Sequence, residues 1–252
     1  MQVIDQLNRK VEIPSKPKRV ISLVPSQTEL LVDLGLEDRL VGVTKFCVHP
    51  SHLRKEKTIV GGTKDYRFET IDQLNPDLII GNKEENDQEG IERLAEKYPV
   101  WLSDVYGLED NNRMIRDLSA IFDVSDRGDS MIEMLNESFK KPEGNKGSAV
   151  YLIWKNPIMA AGQSTFINHM LGLAGFTNLV REMRYPELSE SDLESINPDY
   201  LLLSSEPFPF KEKHIEYYQS ILPQAKIRLI DGEMFSWYGS RLLKSREYFN
   251  TL

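Results

Sequence analysis

At 252 residues the chain can bury a large core, as one big domain or two of ordinary size. Hydrophobic residues at 40% and charged residues at 28% fit a soluble globular protein, and a net charge of −8 argues against broad nucleic-acid binding and against attraction to an anionic membrane. The longest apolar runs are strand-sized, so no membrane-inserted helix is expected, and a single cysteine, Cys47, excludes an internal disulfide.

Met1–Gln6 lacks a basic segment followed by an apolar core. The expected location is therefore periplasmic or extracytoplasmic if a signal sequence has been removed, and cytoplasmic if Met1 is the native start. Residues 3–13 alternate apolar and polar side chains before Pro14, which predicts a short hairpin or edge strand. Val20–Val24 reads as a buried strand stopped by Pro25. Ser26 and Glu29 have capping-box spacing for a helix running to Leu34, with Gly35 as its C-cap. Strands follow at 40–43, 77–80 and 100–102, and helices at 67–74 and 88–97. That alternation predicts a parallel sheet covered on both faces.

Met114, Ile115, Leu118, Ile121 and Phe122 recur at helical spacing, and Met131, Ile132, Leu135 and Phe139 repeat the pattern. Ser125 is a good cap between the two series, so one helix is expected to end near Phe122 and a second to run from about 126 to 140. A flexible segment is expected to follow from Lys141 to Gly147. The second half then repeats the theme, with strands at 149–153, 200–203 and 227–230. Its helices are expected at 165–173 (with Ser164 as cap), 193–196, 212–222 and from about 240. Leu34-Gly35-Leu36 matches Leu171-Gly172-Leu173, and Asn75-Pro76-Asp77 matches Asn197-Pro198-Asp199, which favours a duplication. The expected fold class is α/β, two Rossmann-like lobes with parallel sheets joined by a single interlobe backbone helix. The expected partition is 1–107 for the N-terminal lobe, 108–141 for the helical connector (bridging helix about 125–140) and 142–252 for the C-terminal lobe.

In open parallel sheets, ligands gather beyond the carboxyl ends of the strands. Those ends carry Lys45-Phe46, Lys83 to Asn86 (including Glu85), Asp104 to Tyr106, Trp154-Lys155, Ser205 to Phe210 (including Glu206 and Phe208), and Glu233 to Tyr238 (including Phe235, Trp237 and Tyr238). Aromatic side chains with polar neighbours suit a large, flat, amphipathic ligand; the plain alternative is that Phe208, Phe210 and Phe235 plug the lobe interface. No nucleophile elbow, Walker or dinucleotide motif is present, and no catalytic cofactor or enzyme activity is expected. Cys47, His49 and His52 are weak candidates for metal ligation, because no full ligand set accompanies them.

Val20–Glu29, Leu34-Gly35-Leu36, Val41-Gly42-Val43 and Leu74–Ile80 resemble the substrate-binding proteins of cobalamin and iron-complex ABC importers, the helical-backbone metal receptors. The resemblance implies a monomeric, two-lobed receptor that holds a metal chelate in a cleft and hands it to a dimeric ABC permease. By its pattern an aromatic that flanks the corrin falls on Phe46, with Tyr66 near the position of a tryptophan replaced here by Thr63. A second-lobe ligand aromatic falls on Tyr185, and the last ligand loop on 231–241, ending at Arg241. Permease-docking acids fall on Glu69 and, around Ser191, on Glu190 and Asp192. Mixed cleft charges, Lys45, Lys83 and Lys155 against Glu84, Glu85, Glu206 and Glu233, favour a cobalamin-like corrinoid over an anionic ferric siderophore; the alternatives are a ferric-siderophore or haem receptor and a cytosolic corrinoid-binding or sensing module without a permease.

Overall fold

Val20, Ile21 and Ser22 are buried on every side, as expected of a strand roofed on both faces. The computed structural model in which they lie describes residues 1–140 and 144–252. The expected junction at 141 and 142 therefore falls outside the described residues. The chain forms two units, Met1–Leu135 with Tyr238–Arg241, and Asn136–Trp237 with Leu242–Leu252.

The first unit opens with the antiparallel pair β1 (Gln2–Ile4) and β2 (Lys10–Glu12). Asp5 closes their turn by accepting from the Leu7 and Arg9 amides and pairing with the Arg9 guanidinium at 2.6 Å. Then come β3 (Val20–Ser22), α1 (Pro25–Asp33), β4 (Leu40–Val43), α2 (Leu53–Glu56), β5 (Thr58–Ile59), α3 (Phe68–Leu74), β6 (Leu78–Asn82), α4 (Gln88–Ala95) and β7 (Val100–Ser103). The five strands from β3 onward pair in parallel in the order β5-β4-β3-β6-β7. Ile21, Leu23, Ile79, Ile91 and Leu102 pack on one face of this sheet. α5 (Leu108–Ile121) buries Met114, Ile115 and Leu118, and α6 (Ser125–Ser138) buries Met131, Ile132 and Leu135. The break between them lies where the sequence pattern put it: Asp123 takes φ 61° and the Val124 amide closes α5 by donating to the Ser119 carbonyl.

The second unit contains β8 (Gly147–Trp154), β9 (Ile158–Ala160), α7 (Phe166–Leu173), β10 (Phe176–Asn178), β11 (Glu187–Leu188), α8 (Glu190–Ile196), β12 (Tyr200–Ser204), α9 (Glu212–Ile221), β13 (Lys226–Ile230), α10 (Glu233–Ser236) and α11 (Leu242–Phe249). Its sheet runs β11-β9-β8-β12-β13. The amino-terminal half of β8 pairs in parallel with β10, while its carboxyl-terminal half pairs antiparallel with β9. This sheet is therefore mixed, with a parallel centre and an antiparallel edge that periodicity does not reveal, because β9 and β11 are too short to show an alternation. Val150, Leu152, Leu201, Leu203 and Tyr218 form its core.

The two units share a construction principle. Asn75 and Asn197 end α3 and α8 in the left-handed conformation, at φ 43° and 45°. Asp77 then accepts from the Lys18 and Arg19 amides, and Asp199 from the Ser148 amide and hydroxyl, each pinning the strand next door. The paired Leu-Gly-Leu match is corrected by the structure. Gly35 has φ 74° just past α1, and its counterpart is Gly175 at φ 89° after α7, whereas Gly172 lies inside that helix.

Three expected caps also move. Ser125 already lies inside α6, and the Val124 carbonyl accepts from the Arg127 and Gly128 amides as the helix begins. α1 starts on Pro25, which needs no amide partner at the first helical position, and Ser26 lies inside the helix. At α7 the cap is Thr165, whose hydroxyl accepts from the Asn168 amide at 3.1 Å, while Ser164 sits at φ 56° just before it. No helix among the described residues is long and apolar enough to cross a membrane.

Candidate functional site

At the carboxyl ends of β3, β6 and β7 the first unit carries a buried amide and hydroxyl network. Gln27, on α1, donates from Nε2 to the Gly81 carbonyl (3.2 Å) and to Ser103 Oγ. Asn82 donates to Ser103 Oγ at 2.9 Å and accepts from the Glu84 and Glu85 amides, which shapes the loop after β6. Asn86 braces the loop from beneath by donating to the Leu23 and Thr63 carbonyls. Sequence reasoning missed these roles for Gln27, Asn82 and Ser103; the signal for Asn82 and Ser103 was an uncharged polar residue ending a strand, while Gln27 lies within the first turn of α1.

Tyr238–Arg241 belongs to this unit although both flanks belong to the other. Arg241 meets Glu29 through two bonds, Nε to Oε2 at 2.7 Å and Nη2 to Oε1 at 2.9 Å, with both side chains about 5% exposed or less. The Gly239 amide donates to Asn111 Oδ1 at 2.6 Å, and the Gln27 amide lies 3.5 Å from the Tyr238 hydroxyl. Burial holds that hydroxyl well above the ordinary tyrosine range. Tyr238 and Arg241, expected to face a ligand, instead lock a segment of chain into the interior of this unit.

Tyr66 is likewise buried. Its hydroxyl donates to the Thr63 carbonyl at 2.7 Å and accepts from the Asp87 amide, and burial pushes its pKa up to about 12. The close approach of α4 over this ring requires Gly90, whose added Cβ would stand 2.4 Å from it. Tyr66 thus supports the loop instead of lining a surface. Phe46 is different. It follows β4, is 49% exposed and has the Lys45 ammonium 5.2 Å from its ring centre. Glu85 is half-buried in the loop that Asn82 organises.

In the second unit, Trp154 ends β8 with 39% of its surface exposed and its edge against Phe208, ring centres 5.6 Å apart. Phe208 is half-buried and continues inward to Phe210 and His214. Tyr185 is half-buried beneath the Arg184 guanidinium, 5.6 Å from its ring. Phe235 is fully buried against Tyr151 and Phe249 and serves the core, not a ligand face. Trp237 is almost fully buried, and its Nε1 donates to Glu206 Oε1 at 3.0 Å.

Glu206 also accepts from Ser236 Oγ at 2.6 Å. Burial, helped by Glu233 and Asp231 nearby, raises its pKa despite these two donors. A carboxyl whose folded pKa is raised contributes most stability below its unfolded value, roughly 4.3, and that contribution is lost as pH rises through the folded value. Denaturant titrations at a series of pH values are therefore expected to show Glu206→Gln gaining on the parent across that window, since Gln keeps an acceptor for Ser236 and Trp237. A difference independent of pH would contradict the assignment.

Cys47 is buried between Thr28 Oγ1 (3.1 Å) and Thr44 Oγ1 (3.3 Å), and burial pushes its thiol pKa up, the opposite of what a thiolate ligand or nucleophile needs. Among the described residues Cys47, His49 and His52 do not form one ligand group. His52 Nε2 instead lies 2.8 Å from Glu37 Oε1, with Glu56 near. Glu69 is exposed in the first turn of α3. Glu190 opens α8 and accepts from the Tyr217 hydroxyl, while Asp192 is engaged in the α8 capping box with Ser189.

The sequence matches the periplasmic binding protein family over residues 20–222. It is 23% identical over 239 residues to a vitamin B12-binding protein of Pectobacterium carotovorum, covering 90% of this chain and 85% of that one. The fold resembles that of the periplasmic vitamin B12 binding protein BtuF of Vibrio cholerae, with TM-score 0.77, 21% identity and coverage of 94% of this chain and 97% of that one. It also resembles a periplasmic heme binding protein from Pseudomonas aeruginosa, with TM-score 0.79, 21% identity and coverage of 93% and 92%. The chain belongs to the periplasmic binding protein family, whose members are transport receptors and not enzymes.

Proposed function

We propose that this chain is the cargo-capturing component of an ABC importer and that its cargo is a flat metal chelate, a cobalamin-like corrinoid ahead of haem or a ferric siderophore. The observation that carries this reading is the placement of exposed aromatic rings, Phe46 in one unit and Trp154 in the other, at the carboxyl ends of the strands β4 and β8. Large amphipathic rings left open to water at strand ends suit the broad apolar face of a macrocycle, and nearby amide and charged groups suit its polar rim. The vitamin B12 and haem specificities of related proteins support the same class of cargo. In this reading the receptor works outside the cytoplasm as a monomer, and the exposed acids Glu69 and Glu190 meet a permease dimer. Asp192, held by its own cap, has a lesser part in that contact.

Cargo that binds only the folded chain raises its stability by mass action, by about 2.7 kcal/mol at a hundredfold excess over Kd. A thermal-shift and calorimetric panel of cobalamin, cobinamide, haem and ferric siderophores is expected to give one class with saturable, one-to-one binding. A flat response to every compound would sink the proposal.

A further inference from the structure

The first unit sorts its charges unevenly around Phe46. Lys83, at the end of β6, is committed to Asp104 at 2.7 Å. On α2, His52 and Glu56 are grouped with Glu37 on one side. On the other side Arg54 and Lys55 line an open cavity of about 370 Å³ together with Lys45, Ser51 and Ile59. Leu53, fully buried, anchors this short helix. Arg54 Nη1 reaches the Lys45 carbonyl at 3.4 Å, which ties the helix to the strand end that carries Phe46. Among the described residues, none of Lys45, Arg54 and Lys55 has a carboxylate partner. Three cationic residues and a serine thus line one open cavity in a chain of net charge −8. Like charges gathered without a partner repel each other, and an anion is the group that would relieve this.

We infer that Lys45, Arg54, Lys55 and Ser51 form a subsite for an anionic edge of the cargo, a carboxylate or phosphate group, while Phe46 covers its adjoining flat face. The inference rests on the chelate reading above and narrows it: the cargo is a macrocycle with an acidic rim or tail, not a neutral one. Arg supplies a planar fork matched to either oxyanion, and lysine supplies point charge.

The test pairs ligands with and without an acidic group, the haem pair isolating the charge and the corrinoid pair adding the loss of the nucleotide loop. Haem is compared with its dimethyl ester, and cobalamin, which carries a phosphodiester, with cobinamide, which lacks the nucleotide loop. Each is titrated into the parent and into the Arg54→Gln/Lys55→Gln variant. The expected result is at least tenfold tighter binding of the acidic member of one pair, a preference that falls toward unity in the variant. Melting of the ligand-free variant should match the parent, since both residues lie at the surface. Equal binding of acidic and neutral members overturns the subsite and leaves the chelate reading standing. Binding of none of the four overturns the subsite, and a flat response to the ferric siderophores as well overturns the chelate reading.

Discussion

Replacing Arg241 with Met is expected to destabilise the first unit by about 3–5 kcal/mol, because it strands the buried Glu29 carboxylate without its guanidinium. In a chain of this length that is a fall in melting temperature on the order of 10 °C. The double replacement Glu29→Leu/Arg241→Met should recover most of the loss, since apolar residues of similar volume need no desolvated partner. Urea titration followed through Trp101, fully buried in this unit, in a Trp154→Phe/Trp237→Phe background reads the effect where it occurs. A single variant as stable as the parent would show that the pair is dispensable. A double variant as unstable as the single one would show that the segment is held by Tyr238 and Gly239 instead.

Phe46→Ala carries the largest expected effect on cargo. An exposed ring that becomes buried under a ligand contributes like an interface anchor, and its removal should weaken binding by roughly tenfold to a hundredfold, about 1–3 kcal/mol. Trp154→Ala should act in the same direction. Neither variant should alter the melting of the free protein by more than a degree or two, because exposed side chains contribute little to folding. Calorimetric titration against the compound selected by the panel, with scanning of the free variants, separates the two readouts. Unchanged affinity in both variants would remove the aromatic faces from the binding surface. The lock residues Tyr238 and Arg241 are expected to behave oppositely, losing stability before they lose cargo.

The repeated αβ grammar was legible because it is written locally. Asn75-Pro76-Asp77 and Asn197-Pro198-Asp199 each combine a left-handed cap and a helix stop, which need only adjacent residues, with an aspartate whose bonds to the neighbouring strand reach 51 to 59 residues along the chain and are not written in the motif itself. The break at Asp123 was legible for the same reason. Thr165 and Ser164 are both acceptable caps by type, and only the backbone, with Ser164 at φ 56°, chooses between them.

The aromatic cluster at 235–238 misled for a different reason. Strand-end position says that a side chain is near the ligand edge but not whether a partner awaits it inside. Phe235 found Tyr151 and Phe249, and Trp237 found Glu206, through contacts made by residues distant in sequence. The Glu29–Arg241 pair joins positions 212 residues apart, and no periodicity carries that information. Phe46 and Trp154, by contrast, keep much of their surface exposed at their strand ends.

The return of Tyr238–Arg241 into the first unit has a consequence for how this chain can be divided. Neither unit is a contiguous stretch of gene. A fragment ending at Leu135 lacks the guanidinium that Glu29 accepts, the amide that Asn111 receives and the ring beside Gln27, while a fragment beginning at Asn136 carries those groups with nothing to receive them. The first unit therefore completes its interior only with residues that follow most of the second unit in the chain, so the two cannot be separated by a single cut.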